Sequence, residues 1–218
     1  MTDRIMIVVA AGRSLRFGTD KLMTPVNGVP LVAHTVAAVI GQVDRCILVC
    51  REDQIPALNA LDLGVALVPG GPSRTASEMA GLSAVGGGAG LIGIHDGARP
   101  LVPSALTESL FATAAEHGGA IPLIEPSIPL VHKADLSVAA GTAFAQTPQV
   151  FRGEELLAAY VQAARIEYEG HDTAEVAQRF SNLEIRGIPG DPVNIKVTFP
   201  SDLALVSAAL GASRSESR

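Results

Sequence analysis

The sequence predicts an α/β domain in which helices flank a mostly parallel sheet. Short apolar runs rich in β-branched residues alternate with longer stretches of helical periodicity, which is typical of consecutive βαβ units. The 218 residues are enough for one such domain and few for two. Apolar residues make up 48% of the chain, yet no apolar run reaches the roughly 18 residues that a membrane span needs.

The predicted elements follow one another with short connections. The first apolar run, residues 5–10, ends in a glycine loop and has no cleavage-site pattern, so we interpret it as a buried strand and not as a signal peptide. The other predicted strands are 46–50, 65–68, 91–95, 120–123 and 184–187. The predicted helices are 31–40, 54–61, 74–84, 104–116, 154–168, 174–180 and 201–210.

The alternation fails between Glu125 and Phe151, a stretch that contains three prolines and two short apolar runs. These runs predict a hairpin that projects from the domain, an inserted arm at about residues 125–147. We therefore expect residues 1–211 to form a single Rossmann-like domain with this arm. Residues 212–218 are small and polar, and we expect them to be a disordered tail.

Charge and cysteine content narrow the class of protein. A net charge of −6 argues against a nucleic-acid-binding surface, but a nucleotide pocket needs only a few local cations. Cys46 and Cys50 lie four residues apart in one predicted strand, on the same side and too far apart to bond each other. They are interpreted as reduced core thiols of a cytoplasmic protein.

The segment directly after the first predicted strand has the composition of a phosphate-binding loop. Ala10, Ala11 and Gly12 are small enough for the backbone to approach a triphosphate, whose oxygens consecutive N–H groups can bind. Arg16 and Lys21 add the positive charge that phosphoryl transfer requires. The segment matches neither the dinucleotide-binding nor the Walker pattern, which disfavours a dinucleotide fold and an ordinary ATPase.

A second polar segment, His95–Pro100, follows the strand predicted at 91–95. Asp96 would lie at the carboxyl end of that strand, where a carboxylate suits a magnesium ion that bridges phosphates. Arg99 could bind an anion or pair with Asp96 in a purely structural ion bridge. We interpret His95 as a packed, hydrogen-bonded imidazole without a chemical role.

Two further segments carry polar groups that could reach a nucleotide. Residues 194–198 are predicted to be a short strand with Asn194, Lys196 and Thr198 on one face, so that the lysine could reach a phosphate. The glycine pair Gly70–Gly71 leads into a helix that begins near Ser73. Such a pair can recognise a base or a phosphate through its backbone, and it is equally compatible with an ordinary capped loop.

Taken together, these segments resemble the IspD-like cytidylyltransferases, a family best known for the methylerythritol phosphate (MEP) enzyme of isoprenoid synthesis. The resemblance extends from about Ile5 to Leu210, and the motifs stand in the family's order. The five matching segments are Ala10–Lys21, His95–Pro100, Thr147–Phe151, Asp172–Ala174 and Asn194–Leu203. The resemblance implies a nucleotidyltransferase fold, in which CMP passes from CTP to a small polyol phosphate by direct displacement and pyrophosphate is released.

The resemblance also implies roles for particular residues. Residues implied to hold CTP are Ala10, Ala11, Gly12, Gly71 and Ser77. Catalytic cations are implied at Arg16, Lys21 and Lys196. Substrate contacts are implied at Asp96, Arg99 and Thr147, with Asp96 also near Mg²⁺. Family members pair through the arm, which implies a homodimer whose arms reach into the partner's site.

The acceptor half departs from the family pattern. The Asp-Thr pair that usually precedes a lysine near the start of the arm is missing from Pro126–Lys133, and no arginine lies between Arg99 and Arg152. The acceptor therefore stays open between MEP and another polyol phosphate such as ribitol 5-phosphate. A molybdenum-cofactor nucleotidyltransferase shares the glycine loop but is disfavoured by the other motifs. A homologue that binds CTP without catalysis is the remaining alternative.

Overall fold

The computed structural model describes residues 2–12, 17–18, 20–87 and 90–215. Within these residues the helices are α1 (Leu31–Ile40), α2 (Ile55–Asn59), α3 (Arg74–Val85), α4 (Ser104–His117), α5 (Gly153–Arg165), α6 (Thr173–Phe180) and α7 (Asp202–Ser215). The strands are β1 (Arg4–Val9), β2 (Pro25–Val26), β3 (Val29–Pro30), β4 (Arg45–Cys50), β5 (Ala66–Pro69), β6 (Leu91–Asp96), β7 (Gly118–Ile124), β8 (Phe144–Ala145), β9 (Gln149–Arg152) and β10 (Glu184–Pro189).

The main sheet has the strand order β10-β7-β9-β6-β1-β4-β5, and β8 pairs with β7. Strand β1 pairs in parallel with β4 and β6, while β4 pairs in parallel with β5 and β7 with β10. Strand β9 runs antiparallel between β6 and β7. The chain leaves β1 for β4 on one side and later reaches β6 on the other, so the carboxyl ends of β1 and β6 flank a crevice of the kind that binds ligands.

Helices cover both faces of the sheet, and alternation along β1 shows how. Met6 and Val8 belong to a core cluster that includes side chains of α1, α4 and α7. Ile5 and Ile7 belong to a second cluster that includes side chains of α3, α5 and α6. Since successive side chains of a strand point to opposite faces, the central strand contributes to both cores. The predicted α/β class and the mostly parallel sheet are confirmed.

The two cysteines have the predicted environment. Cys46 and Cys50 are free and buried, and both belong to the cluster that contains Met6 and Val8. Burial raises the pKa of Cys46 to about 12, so its thiol is protonated at neutral pH. These residues are inert core side chains.

The arm forms a hairpin that leaves the sheet and returns to it. The chain departs after Ile124 and comes back at Phe144, which pairs with Ile124. Between them Val131 and Val138 form an antiparallel bridge, and the amide of His132 donates to the carbonyl of Ser137 at 2.9 Å. Most of the arm is exposed to solvent.

The strand predicted at residues 194–198 is wrong. The segment is a loop, in which the amide of Ile195 donates to the carbonyl of Val193 and that of Asn194 to the carbonyl of Asp191. Val197 donates to the carbonyl of Ala98 at 2.9 Å. Asn194 is fully buried, so it does not share an exposed face with Lys196. Flanking prolines at 192 and 200 lack the N–H donors that a continuous ladder needs.

Other differences concern element boundaries and the short strands β2, β3 and β9, which were not predicted. Strand β9 begins within the stretch that was expected to be irregular. It was not predicted because four residues are too few for a clear periodic signal. Helix α5 ends at Arg165, since Glu167 adopts a φ of +53°. The helix predicted at 54–61 is a 3-10 turn followed by the short α2. Helix α7 continues through 212–215, where we expected a disordered tail.

Candidate active site

A cavity of about 1130 Å³ opens at the carboxyl ends of β1, β4, β5 and β6. Its wall is made by segments that are distant in sequence and that meet at this edge of the sheet. The lining residues are Val9–Gly12, Phe17, Lys21, Leu22, Arg51–Asp53, Gly70–Arg74, Ser77, Asp96–Ala98, Lys196 and Thr198. The size and location are those of a small-molecule site.

One part of the wall consists of small residues in close contact. A Cβ atom added to Gly70 would lie 2.3 Å from the Cβ of Ala11, so the loop after β5 touches the loop after β1. Likewise, a Cβ at Gly71 would lie 2.5 Å from the Cβ of Ala76. The glycine pair is therefore required by packing, and the predicted nucleotide-binding residues of both loops share one wall.

Helix α3 begins at this wall. The Ser73 side chain caps it by accepting a hydrogen bond from the amide of Ala76 at 3.1 Å. The Ser77 hydroxyl donates to the carbonyl of Ser73 at 2.7 Å, and Ser77 lines the cavity as predicted. The start of a helix presents backbone N–H groups and a partial positive charge, which favours anions.

Asp96 lies at the end of β6 and forms ion pairs with three cationic side chains. Its Oδ1 is 2.8 Å from Nη1 of Arg74, and its Oδ2 is 3.0 Å from Nζ of Lys196 and 3.2 Å from Nε of Arg99. Burial alone raises the pKa of Asp96, but the charges of these three neighbours outweigh it and hold the pKa well below its usual range. Asp96 is thus ionised at neutral pH and lies at the centre of these positive groups.

Arg99 and Thr147 lie behind Asp96 and do not line the cavity. Arg99 is buried, and its Nη1 donates to the carbonyl of Asn194 at 2.7 Å. Thr147 is also buried, and its hydroxyl oxygen accepts a hydrogen bond from the backbone N–H of Asp96 at 2.9 Å. These contacts with neighbouring backbone and with Asp96 favour a supporting role for both residues. Their implied substrate contacts stay predictions.

His95 has the structural role that the sequence predicts. Its Nε2 lies 3.1 Å from the carbonyl of Arg99, which only accepts, so this nitrogen carries the proton. Its Nδ1 then accepts a hydrogen bond from the hydroxyl of Thr147 at 3.0 Å. Burial is the main reason that the pKa of His95 is lowered to about 4, and the ring is neutral at physiological pH.

The two predicted catalytic lysines reach the cavity from opposite ends of the chain. Nζ of Lys21 donates to the carbonyl of Val197 at 2.7 Å, next to Lys196 in sequence. Both lysines line the cavity. Arg16, the third predicted catalytic cation, lies outside the described residues.

Sequence reasoning missed Arg74 and Arg51 on the cavity wall and Glu78 next to it. Arg74 lines the cavity between Asp96 and Glu78, and its Nε is 2.8 Å from Oε1 of Glu78. Arg51 also lines the cavity and pairs with Asp20 at 2.9 Å. One signal was available: Glu78 stands four and seven residues before the buried Leu82 and Val85, so the helical period puts a carboxylate on an apolar face.

The described residues do not form a metal cage. Within 2–12, 17–18, 20–87 and 90–215, no group of three His, Cys, Asp or Glu side chains is placed to hold an ion. Both oxygens of Asp96 already contact cationic side chains, so a metal would compete with them for the carboxylate. The expectation that Asp96 ligates Mg²⁺ stays a prediction.

Two observations concern other expected partners. No residue of the arm contributes to the cavity wall of its own chain. Among the described helices, none combines the length and apolar character that crossing a membrane requires.

Known proteins with similar sequences and folds identify the family of this chain. The family described as 2-C-methyl-D-erythritol 4-phosphate cytidylyltransferase matches residues 4–212. An enzyme of that name from Cereibacter sphaeroides (strain KD131 / KCTC 12085) is 40% identical over 214 residues, which cover 91% of this chain and 92% of the relative. Another from Bacillus licheniformis is 32% identical and covers 96% of both chains.

Solved structures extend the similarity to the fold. The 2-C-methyl-D-erythritol 4-phosphate cytidylyltransferase of Thermus thermophilus superposes with a TM-score of 0.81 at 27% identity, over 96% of this chain and 98% of that one. The 4-diphosphocytidyl-2C-methyl-D-erythritol synthase of Anaerococcus prevotii has a TM-score of 0.82 at 23% identity, over 96% and 99% of the two chains, which bears on the fold alone. Because the family match and these relatives span nearly the whole chain, the chain belongs to the IspD family of cytidylyltransferases.

Proposed function

We propose that this protein transfers CMP from CTP to 2-C-methyl-D-erythritol 4-phosphate and releases pyrophosphate, a step of isoprenoid precursor synthesis. One observation carries the proposal: a cavity lined by tightly packed small residues on one wall also contains Lys21, Lys196 and Arg74. A nucleoside triphosphate needs both features, a close backbone approach and fixed positive charge. The names and coverage of the relatives support the same reaction.

The nucleotide half of the site follows from the wall residues. We assign Ala10, Ala11, Gly12, Gly71 and Ser77 to the base, ribose and phosphates of CTP. The packing of Gly70 against Ala11 supports this assignment, since residues this small let a ligand approach the backbone. The start of α3 at the same wall adds a favourable potential for the phosphates.

The proposed chemistry is a single in-line displacement. A phosphate oxygen of the acceptor forms a bond to the α-phosphorus of CTP, while the bond from that phosphorus to the α–β bridging oxygen breaks and pyrophosphate leaves with the electron pair. Lys21 and Lys196, with Arg16 as a third proposed cation, offset the negative charge of the transition state. Asp96 holds Lys196 in place and faces the cavity, where it is proposed to contact substrate hydroxyls.

Magnesium enters the proposal only as a companion of the nucleotide. Mg²⁺ is commonly bound by substrate phosphates and water with one or two carboxylates. Because Asp96 already contacts three cations, we infer that the phosphates supply most of the ligands. Millimolar EDTA is expected to abolish pyrophosphate release while leaving the thermal unfolding temperature of the free protein unchanged.

We also propose that the protein is a homodimer paired through the arm. The arm exposes apolar side chains that a single chain leaves uncovered, with 71% exposure at Ile128, 73% at Leu136 and 63% at Val138. A second copy would cover them. Since the arm leaves its own cavity wall untouched, the partner's arm is the proposed source of the missing acceptor contacts. The proposed compartment is the cytoplasm, where Cys46 and Cys50 stay reduced.

The deciding experiment is pyrophosphate release from CTP, run in parallel with 2-C-methyl-D-erythritol 4-phosphate, ribitol 5-phosphate and no acceptor. Release with the first acceptor alone is the expected result. Release with ribitol 5-phosphate alone would keep cytidylyl transfer and replace the acceptor. Silence with both, together with CTP binding by calorimetry, would contradict catalysis and favour a CTP-binding homologue.

A further inference from the structure

We infer that Glu78 is a positioning residue for the reaction proposed above: it holds Arg74 on the cavity wall and thereby controls how the charge of Asp96 is divided between Arg74 and Lys196. The inference rests on the proposed function for its kinetic consequence and on geometry for everything else. Its starting point is a carboxylate that is 1% exposed in α3, beside apolar core residues such as Leu82. Burying an ionisable group there is unfavourable unless partners compensate it.

Glu78 has partners from three helices. Its Oε1 accepts a hydrogen bond of 3.1 Å from the hydroxyl of Thr173 in α6. Its Oε2 accepts a hydrogen bond from the hydroxyl of Tyr160 in α5. Arg74, one turn earlier in α3, provides the compensating charge. Burial raises the pKa of Glu78, while the charge of Arg74 and the hydrogen bonds from the two hydroxyls oppose this rise and favour the carboxylate. The side chain is therefore fixed from several directions.

Arg74 is the link from this buried carboxylate to the cavity. Its Nε lies 2.8 Å from Oε1 of Glu78 without the alignment of a hydrogen bond, so this contact is an ionic attraction. Its Nη1 donates to Oδ1 of Asp96 at 2.8 Å. The guanidinium is therefore held between two carboxylates, one beneath the wall and one on it.

The consequence reaches Lys196 through Asp96. With Arg74 drawn towards Glu78, it uses Oδ1 of Asp96, and Oδ2 is left to Lys196 and Arg99. Without the charge of Glu78, Arg74 would have Asp96 as its remaining carboxylate partner among these contacts and would compete with Lys196 for it. Displacing a transition-state cation by even about 1 Å can lower turnover by up to about 10²-fold.

The test is Glu78→Gln, which removes the charge and keeps the size and an acceptor oxygen. We expect kcat with CTP and 2-C-methyl-D-erythritol 4-phosphate to fall about 10-fold, while KM for CTP changes less than about 2-fold. In an Arg74→Gln background the same change should have no further effect on kcat, because Glu78 acts through Arg74. The matched control is Glu175→Gln, since Glu175 also accepts a tyrosine hydroxyl, from Tyr168, away from the cavity.

Three results would overturn the inference. These are kcat losses that add in the double variant, an unchanged kcat in Glu78→Gln with only a lower melting temperature, or a loss in Glu175→Gln of equal size. If Glu78→Gln does not fold, Tyr160→Phe removes one anchor of the carboxylate and keeps all charges. A smaller fall in kcat, again absent in the Arg74→Gln background, is then expected, and wild-type turnover would contradict the inference.

A readout without turnover separates this inference from the proposed function. The ¹⁵N-NMR signal of the Arg74 Nε–H group, assigned with Arg74→Lys, should shift and exchange faster with water in Glu78→Gln and stay unchanged in Glu175→Gln. A wild-type protein that is silent with CTP and both acceptors would refute the proposed function alone. An unchanged Arg74 signal in Glu78→Gln would refute the positioning role, whatever the activity.

Discussion

At the residue scale, the candidate site is organised around one carboxylate with several cations. Asp96 keeps its negative charge because Arg74, Lys196 and Arg99 surround it, and these cations in turn remain close together because Asp96 offsets their repulsion. Arg99 and Thr147 support Asp96 from behind. The residues that face the cavity and those that hold them are therefore different sets.

Replacing either lysine by alanine tests the residues that face the cavity. Lys21→Ala and Lys196→Ala are each expected to lower kcat by about 10²-fold or more, because each removes a positive charge that stabilises the transition state. Steady-state pyrophosphate release measures the effect, and circular dichroism melting checks folding. Arg165→Ala removes a charge at the exposed end of α5 and should leave kcat unchanged. Wild-type turnover in either lysine variant would contradict the assigned role.

At the scale of elements, the cavity depends on how closely two loops approach each other. The loop after β1 and the loop after β5 touch at Ala11 and Gly70, and the amide of Gly70 donates to the carbonyl of Cys50 at 2.8 Å. No side chain larger than hydrogen fits at Gly70 without moving one loop. The distance between two strand ends thus sets the shape of this part of the cavity wall.

Gly70→Ala tests this contact. We expect it to lower the free energy of unfolding by about 1–3 kcal/mol through overpacking and to weaken CTP binding, because the loops must separate. Chemical denaturation and titration calorimetry measure the two effects. Gly41→Ala is the matched control, since nothing lies within 4 Å of an added Cβ there and its φ is −73°. Equal behaviour of the two variants would rule out the close contact.

The scale of the whole molecule includes the assembly. The exposed apolar side chains of the arm predict that a single substitution there dissociates the proposed dimer. Ile128→Lys is expected to give a monomer in sedimentation velocity experiments and to lose turnover while the fold is retained. Ile166→Lys, at another exposed apolar position outside the arm, should leave the assembly unchanged. A wild-type protein that is monomeric at assay concentration would contradict the arm interface.

Acid stability is also a property of the whole molecule. The pKa of His95 is about 4 in the folded state and 6.5 in the unfolded chain. Between these two pH values the unfolded state therefore binds more protons than the folded state. The contribution of His95 to the free energy of unfolding is therefore complete above pH 6.5 and is lost as the pH falls towards 4. Asp96, whose pKa is depressed, loses its contribution only at lower pH, below its unfolded value of 3.8.

His95→Gln isolates this titration. Between pH 6.5 and 4 the wild type should lose about 3 kcal/mol more unfolding free energy than the variant, since a shift of about 2.5 pKa units is worth that much. Urea denaturation at several pH values measures the difference, and glutamine keeps a donor for the carbonyl of Arg99. Parallel pH profiles for the two proteins would refute a neutral, buried His95.

Local patterns in the sequence were sufficient for most of the architecture. The apolar alternation predicted β1, β4 and β6 and the helices between them to within a residue or two, and Ser73 marked the start of α3. These features depend on neighbours a few positions away, whose periodicity and capping chemistry are visible in a single chain. The glycine loop, Asp96 and Lys196 were identified as site residues because they follow predicted strands or stand in family motifs.

Tertiary structure alone decided which side chains meet. Lys21 bonds to Val197, 176 residues away, and Glu78 accepts hydrogen bonds from Tyr160 and Thr173 in two other helices. Arg99 belongs to a site motif, yet the turn after β6 directs it behind Asp96. A local pattern carries the preference of each segment for helix or strand. The pairing of charges is determined only when the sheet order brings distant segments together in a medium where each buried charge needs a partner.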